Sequence, residues 1–250
     1  MKQFVLPEDY KGEPTLSLRG DRFHHIVHVL RVGEGDTLSG IDRSSLKYSF
    51  EVVEVLKEKC TLRLQSGPQV PVKEHYITLF QCLLKGKKMD QVVRQATEAG
   101  VDRIVPVISE FSIPRHGDNP GKLDRFRRIA LEAVEQSGAE AIPEILDPVT
   151  PGETGPLIDE DTVALYCHNS GEHTAILHEK LSSPVQKIAI FIGPEGGLSE
   201  KDRSVLATAG FFPLYLGDTT LRSETAAVFA LGAVHILLLE KDTWKHRSRL

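Results

Sequence analysis

The sequence predicts an α/β protein in which helices cover both faces of a mainly parallel sheet, preceded by a smaller β-rich unit with one helix. Beyond about residue 70, apolar runs typical of strands alternate with longer segments of helical periodicity. A run as continuously apolar as Ile188–Ile192 suits a strand that is buried on both faces, as in a parallel sheet. The composition changes over Ser66–Val72, and this change predicts two domains, residues 1–70 and residues 71–250.

The first unit is predicted to be a small β-barrel-like module with a single helix, Asp21–Arg31. An apolar stripe at helical spacing is expected to face the barrel, and it consists of Phe23, Ile26, Val27 and Leu30. The opposite face is basic, and we predict contacts with an RNA backbone for Arg19, Arg22, His24, His28 and Arg31. A solvated helix face without a ligand is the alternative interpretation.

The second unit is predicted to alternate strands with helices. The predicted strands are His75–Leu84, Arg103–Ile108, Val163–Cys167, Lys187–Ile192 and Pro213–Leu216. The predicted helices are Lys88–Ala99, Pro120–Ser137, Gly171–Leu181, Ser199–Ala209 and a final helix from about Ser223 to Glu240.

Composition and charge exclude several classes of function. The chain has 30 Lys and Arg against 35 Asp and Glu, a net charge of -5, so binding driven by bulk positive charge is excluded while local basic patches are not. The polar start of the chain is unlike a signal peptide, and the most apolar stretch, Ala226–Leu239, is shorter than the ~20 residues that span a bilayer. We therefore expect no membrane partner.

The three cysteines are scattered, which is typical of reduced core thiols in a cytosolic protein: Cys60, Cys82 and Cys167. The histidines show no metal-binding spacing, and the sequence contains no G-x-S-x-G elbow. These patterns predict a cytoplasmic protein without a metal centre.

Two loops at the carboxyl ends of predicted strands are the main candidates for a binding site, because α/β folds place ligands there. The first is Gly193–Gly197 (GPEGG), whose glycines let a ligand approach free backbone N–H groups. Glu195 would repel a bare phosphate, so a cationic or neutral ligand fits better. A tight turn without a ligand is the alternative interpretation.

The second loop, Leu216–Thr225, leads into the final helix. Its last residues suit a helix N-terminus, where Glu224 would satisfy free N–H donors. Arg222 is less easily explained, because a cation is unfavourable beside the positive end of a helix dipole. It therefore needs an anionic partner: Glu195, Glu224 or a bound substrate.

A third cluster opens the predicted helix Lys88–Ala99, and it contains Lys85, Lys87 and Lys88. Positive charge at a helix N-terminus favours an anionic ligand such as RNA, while a solvated helix start is the alternative.

In order, four segments resemble the ribosomal RNA small-subunit methyltransferase E family, a branch of the SPOUT class of S-adenosylmethionine-dependent enzymes: LLKGKKMDQVVRQATEAGVDRIVPV, IALEAVEQSGAEAIPEI, FIGPEGGLSEKD and LGDTTLRSETAAVFAL. The segment RFHHIVHVLRVGEGD is similar to the PUA-like RNA-binding domain of that family. The combination of GPEGG with LRSETA is the most specific part of this resemblance. The chain departs from the family pattern at Phe111 and Ala139, where basic residues are common.

The resemblance implies a SPOUT-type parallel sheet with a C-terminal trefoil knot, and a homodimer with the cofactor site near its interface. The implied reaction is methylation of uridine N3 in the decoding region of 16S ribosomal RNA, on assembled small subunits. The implied contacts with S-adenosylmethionine come from Leu165, Ile192, Gly193, Glu195, Gly196, Leu216, Gly217, Leu221, Arg222 and Thr225.

Methylation at N3 requires loss of a proton from uridine, so we expect a cation that stabilises the uridinate oxygens. Our hypothesis gives this role to Arg222, with Glu195 or Glu224 as an orienting partner or base. A Rossmann-type enzyme is a weaker alternative, because its glycine fingerprint would follow the first strand of the domain. A non-catalytic RNA-binding factor for ribosome assembly is the other alternative, and it leaves the paired loops without a role.

Overall fold

The computed structural model describes residues 2–113, 121–169, 175–182 and 185–247, with the side chains of 241–247 outside the description. It forms two compact units. Unit 1 comprises Met1–Val72 with Ala130–Ile142, and unit 2 comprises Lys73–Ile129 with Pro143–Leu250.

Unit 1 contains a five-stranded sheet in the order β1-β3-β4-β5-β2, antiparallel except for the pair β1 and β3. Its strands are β1 (Gln3–Val5), β2 (Thr15–Arg19), β3 (Thr37–Ile41), β4 (Lys47–Val55) and β5 (Lys59–Gln69). The predicted helix is observed as helix α1 (Gly20–His24), which continues as a π-helical segment, His25–Val29. Its apolar stripe packs on the core as predicted, with Phe23 and Ile26 buried beside Phe50.

Ala130–Ile142 completes unit 1, although it lies far along the chain. The buried amide of Gln3 donates hydrogen bonds to the carbonyl oxygens of Val134 and Ala139, at 3.1 and 3.0 Å. Glu135 accepts a hydrogen bond of 2.8 Å from the backbone N–H of Val5. A side chain of β1 is thereby satisfied by a segment that local patterns do not connect with it.

Unit 2 contains a six-stranded sheet in the order β11-β9-β10-β6-β7-β8, and every pair is parallel. Its strands are β6 (Tyr76–Cys82), β7 (Arg103–Val107), β8 (Glu144–Ile145), β9 (Val163–His168), β10 (Lys187–Ile192) and β11 (Phe212–Tyr215). Its helices are α2 (Lys88–Glu98), α3 (Lys122–Ser137, which ends in unit 1), α4 (Leu177–Lys180), α5 (Glu200–Thr208) and α6 (Ser223–Arg247), with 3-10 turns at Pro151–Glu153 and Gly155–Leu157. The predicted parallel sheet is confirmed.

The structure corrects three predicted elements. Strand β8 was not predicted, because two residues are too few to show a period. Helix α4 covers only Leu177–Lys180 of the predicted Gly171–Leu181, whose residues 171–174 lie outside the described part of the chain. Helix α6 continues beyond Glu240 to Arg247.

Helix α6 has the length and apolar composition of a membrane span over Ser223–Glu240, with a mean hydropathy of 1.4. Such values also occur in the core helices of globular proteins. Here 39% of the segment is buried, and the helix packs against α2 and β10.

Because all six strands of unit 2 run in parallel, their carboxyl ends share one edge of the sheet. Strand β10 is central, with β6 on one side and β9 on the other. The segments that follow β9, β10 and β11 therefore meet at this edge.

Candidate functional site

A cavity of about 480 Å³ lies at the carboxyl edge of the unit 2 sheet. Its walls are formed by Cys167–Asn169, Ile192–Leu198 and Leu216–Ser223, together with Arg203 and Ala226. This volume lies in the range of roughly 300–1,000 Å³ that is usual for small-molecule sites. Both loops singled out in the sequence therefore line one cavity.

The Gly193–Gly197 loop needs glycine for two separate reasons. Gly197 has a φ of +76°, in the left-handed region, and its N–H donates to the Pro194 carbonyl at 3.0 Å. Gly196 is packed closely, because an added Cβ would lie 3.1 Å from the Cβ of Phe111. The segment is thus a tight turn and a cavity wall at once.

Ser223 connects the two loops. Its hydroxyl donates a hydrogen bond of 2.5 Å to the Gly193 carbonyl and accepts one of 3.0 Å from the side-chain amide of Gln81. Gln81 is fully buried at the end of β6. Gln81 was not predicted as a site residue, although a polar residue inside the apolar run of β6 indicates a buried hydrogen bond.

The carboxylates near the cavity face a lysine and not Arg222. The Nζ atom of Lys88 lies 3.0 Å from Oε1 of Glu195 and 3.9 Å from Oε2 of Glu224. Partial burial acts to raise the pKa of Glu195, but hydrogen bonds from its own backbone N–H and from Lys88 outweigh it and hold this pKa below its usual range. Glu195 is therefore ionised at neutral pH and is a weak base.

The two protein partners expected for Arg222 are not observed. Its side chain is exposed, lines the cavity and has no hydrogen bond or ion pair within the part of the chain that the structure describes. Glu224 is buried in the first turn of α6 and does not line the cavity. Lys88, at the start of α2, reaches both carboxylates instead. Arg222 is thus exposed to solvent at the cavity and is held by neither Glu195 nor Glu224.

Eight predicted contact residues line the cavity: Ile192, Gly193, Glu195, Gly196, Leu216, Gly217, Leu221 and Arg222. Leu165 does not line the cavity, because it is fully buried inside β9. The first lining residue of that strand is Cys167, two positions later. Thr225 is exposed on the first turn of α6, and the helix presents Ser223 and Ala226 to the cavity instead.

The end of β9 adds lining residues that sequence analysis did not name as site residues. His168 and Arg203 line the cavity and are hydrogen-bonded to each other. Desolvation raises the pKa of Cys167 to about 12, so its thiol stays protonated at neutral pH and is a poor nucleophile. The cavity thus offers backbone groups, apolar walls and the guanidinium of Arg222, which has no side-chain partner among the described residues.

The predicted RNA-contacting residues of unit 1 are all exposed: Arg19, Arg22, His24, His28 and Arg31. The rings of His24 and His28 lie 5.2 Å apart, centroid to centroid, on one face of the helix. In unit 2, Lys85 and Lys87 are exposed, whereas Lys88 is half-buried and bound to Glu195. Across the described ranges, no cluster of three or more His, Cys, Asp or Glu residues is arranged to hold a metal ion.

Comparison with known protein families matches both parts of the chain. Residues 72–235 match the model of an RNA methyltransferase domain, and residues 18–65 match that of an RNA methyltransferase PUA domain. Ribosomal RNA small subunit methyltransferase E from Aquifex aeolicus is 33% identical, over 88% of this chain and 93% of the relative. The Bacillus subtilis protein of the same name is 28% identical, over 88% and 90%.

Solved structures are similar over almost the whole chain. Ribosomal RNA small subunit methyltransferase E from Neisseria gonorrhoeae, bound to S-adenosyl methionine, has a TM-score of 0.76 and 28% identity, over 95% of this chain and 98% of that one. A putative methyltransferase from Legionella pneumophila, in complex with the same cofactor, has a TM-score of 0.75 and 28% identity, over 94% and 97%.

Proposed function

Because the chain belongs to the ribosomal RNA small subunit methyltransferase E family, we propose that it binds S-adenosylmethionine and methylates N3 of a uridine in the decoding region of 16S ribosomal RNA. The observation that carries this proposal is the single cavity of about 480 Å³ formed by both the GPEGG and LRSETA loops. The parallel sheet brings both loops to one edge, and the cavity between them has the volume of a small-molecule site.

The residues that line the cavity fit this cofactor chemically. Backbone groups at Gly193, Gly196 and Gly217 suit adenine and ribose, and the apolar side chains of Ile192 and Leu221 suit the flat faces of the base. S-adenosylmethionine supplies a methyl group on a sulfonium cation. The ionised Glu195 in the wall is favourable beside that cation.

Arg222 has the catalytic role in the proposed mechanism. Uridine N3 is a poor nucleophile until its proton passes to solvent water, and the negative charge then spreads onto the neighbouring carbonyl oxygens. An unpaired guanidinium at the cavity can stabilise that charge in the transition state. Glu195 is not the base, because its pKa lies below its usual range, and it faces Lys88 and not Arg222, so its proposed role is to attract the sulfonium.

RNA binding is proposed for residues 1–70, and methyl transfer and dimerisation for residues 71–250. The exposure of Arg19, Arg22, His24, His28 and Arg31 supports contacts with phosphates, as does that of Lys85 and Lys87. The proposed substrate is the assembled small subunit, in the cytoplasm.

A trefoil knot and a homodimer complete the proposal. Strand β9 lies between β10 and β11, and α6 then returns to pack on β10, so the chain passes back beside its own strands. We propose the knot itself on the ground of family membership. Helix α6 also exposes large apolar side chains along its length, which supports a partner subunit against this helix: Val228, Phe229, Ile236 and Leu239.

Methyl transfer to ribosomal subunits tests the proposal. Small subunits from a strain lacking the protein are incubated with protein and S-adenosylmethionine, and the digested RNA is analysed by mass spectrometry. We expect 3-methyluridine at one position in the decoding region. RNA binding without methylation, and without heat on titration with S-adenosylmethionine, would instead indicate a non-catalytic assembly factor.

A further inference from the structure

Two carboxylates from different loops share one ammonium group at the cavity. Lys88 begins α2, Glu195 belongs to the GPEGG loop, and Glu224 lies in the first turn of α6. The Lys88 Nζ atom makes a hydrogen bond of 3.0 Å with Glu195 and lies 3.9 Å from Oε2 of Glu224. One cation thus contacts both segments that form the cavity.

The two carboxylates are unequally satisfied. Glu195 is 28% exposed and lines the cavity, so it can also face a ligand. The Glu224 side chain is only 10% exposed, and its Oε2 atom is buried with no hydrogen-bond partner among the residues that the structure describes. A buried carboxylate oxygen without a partner is unfavourable. A movement of Lys88 Nζ by roughly 1 Å would bring this oxygen into hydrogen-bond distance.

We propose that Lys88 is a positioning residue that exchanges partners when the cationic methyl donor binds. In the free protein its ammonium group holds Glu195. When the sulfonium occupies the cavity, Glu195 faces the ligand and Lys88 moves to Glu224. This inference rests on the proposed function, since it requires a cationic ligand.

Charge balance favours the exchange. Lys88 with Glu195 and Glu224 sums to one negative charge, which complements the single positive charge of a sulfonium. An ammonium that stays on Glu195 would repel the sulfonium, whereas on Glu224 it satisfies a buried oxygen. Glu224 therefore acts as the receiving partner, although it does not line the cavity.

Comparison of two ligands tests the exchange. S-adenosylhomocysteine lacks the methyl group and the sulfonium charge of S-adenosylmethionine but is otherwise the same molecule. Calorimetric Kd values for both ligands give a ratio that reports on the methyl group together with its sulfonium charge, and a variant that changes only a distant charge alters this ratio through the charge. For Glu224→Gln, in which Lys88 loses its receiving partner, we expect S-adenosylmethionine to bind about fivefold to tenfold more weakly, and S-adenosylhomocysteine to change by less than about twofold.

A second variant makes the opposite prediction. Lys88→Met removes the repelling ammonium, so the preference for S-adenosylmethionine over S-adenosylhomocysteine should increase at least about threefold, even if both affinities fall. Lys201→Met, an exposed lysine in the first turn of α5, is the matched control, and its ratio should equal that of the wild type.

Equal losses for both ligands, or an unchanged ratio in both variants, would overturn the exchange and leave Lys88 a purely structural residue. This failure is distinct from failure of the proposed function. In the latter case the wild-type protein itself would bind neither ligand.

Discussion

Replacement of Ser223 by alanine tests whether the two loops depend on one hydroxyl group. In the native protein this hydroxyl donates to the Gly193 carbonyl at 2.5 Å and accepts from the Gln81 amide at 3.0 Å. The Ser223→Ala change removes both hydrogen bonds and almost no apolar contact area. Its effect therefore reports on the hydrogen-bonded link itself.

The expected loss follows from what each partner retains. The Gln81 amide loses its hydrogen bond to Ser223 but keeps the one of 3.0 Å to the Cys82 carbonyl, so it remains partly satisfied. The Gly193 carbonyl loses the donor from Ser223. We expect the free energy of unfolding to fall by about 1–3 kcal/mol. If the bound ligand needs the same loop arrangement, the Kd for S-adenosylmethionine should rise by about tenfold, which corresponds to about 1.4 kcal/mol.

Gln81→Met provides a second variant with a smaller expected effect. It removes the amide donor, which lowers the free energy of unfolding. It also removes Oε1, which is buried with no partner among the described residues, and this raises the free energy of unfolding, so the two effects partly cancel. Urea unfolding of both single variants and of the double variant measures their coupling, which should exceed about 0.5 kcal/mol. Ser204→Ala, at an exposed position of α5, is the control. A change below about 0.5 kcal/mol for Ser223→Ala, with an unchanged Kd, would refute the link.

Three other predictions concern charged residues. Arg222→Ala should lower kcat by about 100-fold while the Kd for S-adenosylmethionine changes by less than about threefold, and unchanged turnover would exclude Arg222 as the stabilising cation. The pKa of Glu195 is lowered by folding, so its contribution to stability is present above its unfolded pKa and is lost as the pH falls through its folded pKa. The Tm values of wild type and Glu195→Gln should therefore differ at neutral pH and converge in acid. A difference in Tm that persists in acid contradicts this. Substitution of His24, His28 and Arg31 by alanine should weaken RNA binding and reduce its salt dependence, whereas an unchanged salt slope would assign the RNA contacts elsewhere.

The architecture of unit 2 was predictable because its signals are local. The apolar run Ile188–Ile192 indicates a strand buried on both faces, and β10 is the centre of a parallel sheet. Strand β8 was missed, because Glu144–Ile145 is too short to show any period. The association of Ala130–Ile142 with unit 1 was also missed. It depends on contacts between residues about 130 positions apart, such as the hydrogen bond between Gln3 and Val134.

The candidate site was predictable as two loops but not as a charge network. An anionic partner was predicted for Arg222, and the two carboxylates named for it lie against Lys88 instead. Lys88 and Glu195 are 107 positions apart, and no local pattern records their contact. Leu165 was expected in the cavity wall, but the lining residues of β9 begin two positions later, at Cys167. The sequence indicates the strand without indicating which of its side chains reach the cavity.

A crystal structure of the protein with S-adenosylmethionine tests the central claim most directly. We predict one donor molecule in the cavity formed by Ile192–Leu198 and Leu216–Ser223, with its sulfonium near Glu195 and its methyl group directed toward Arg222. An empty cavity at saturating donor, or a donor bound elsewhere on the molecule, would contradict the claim.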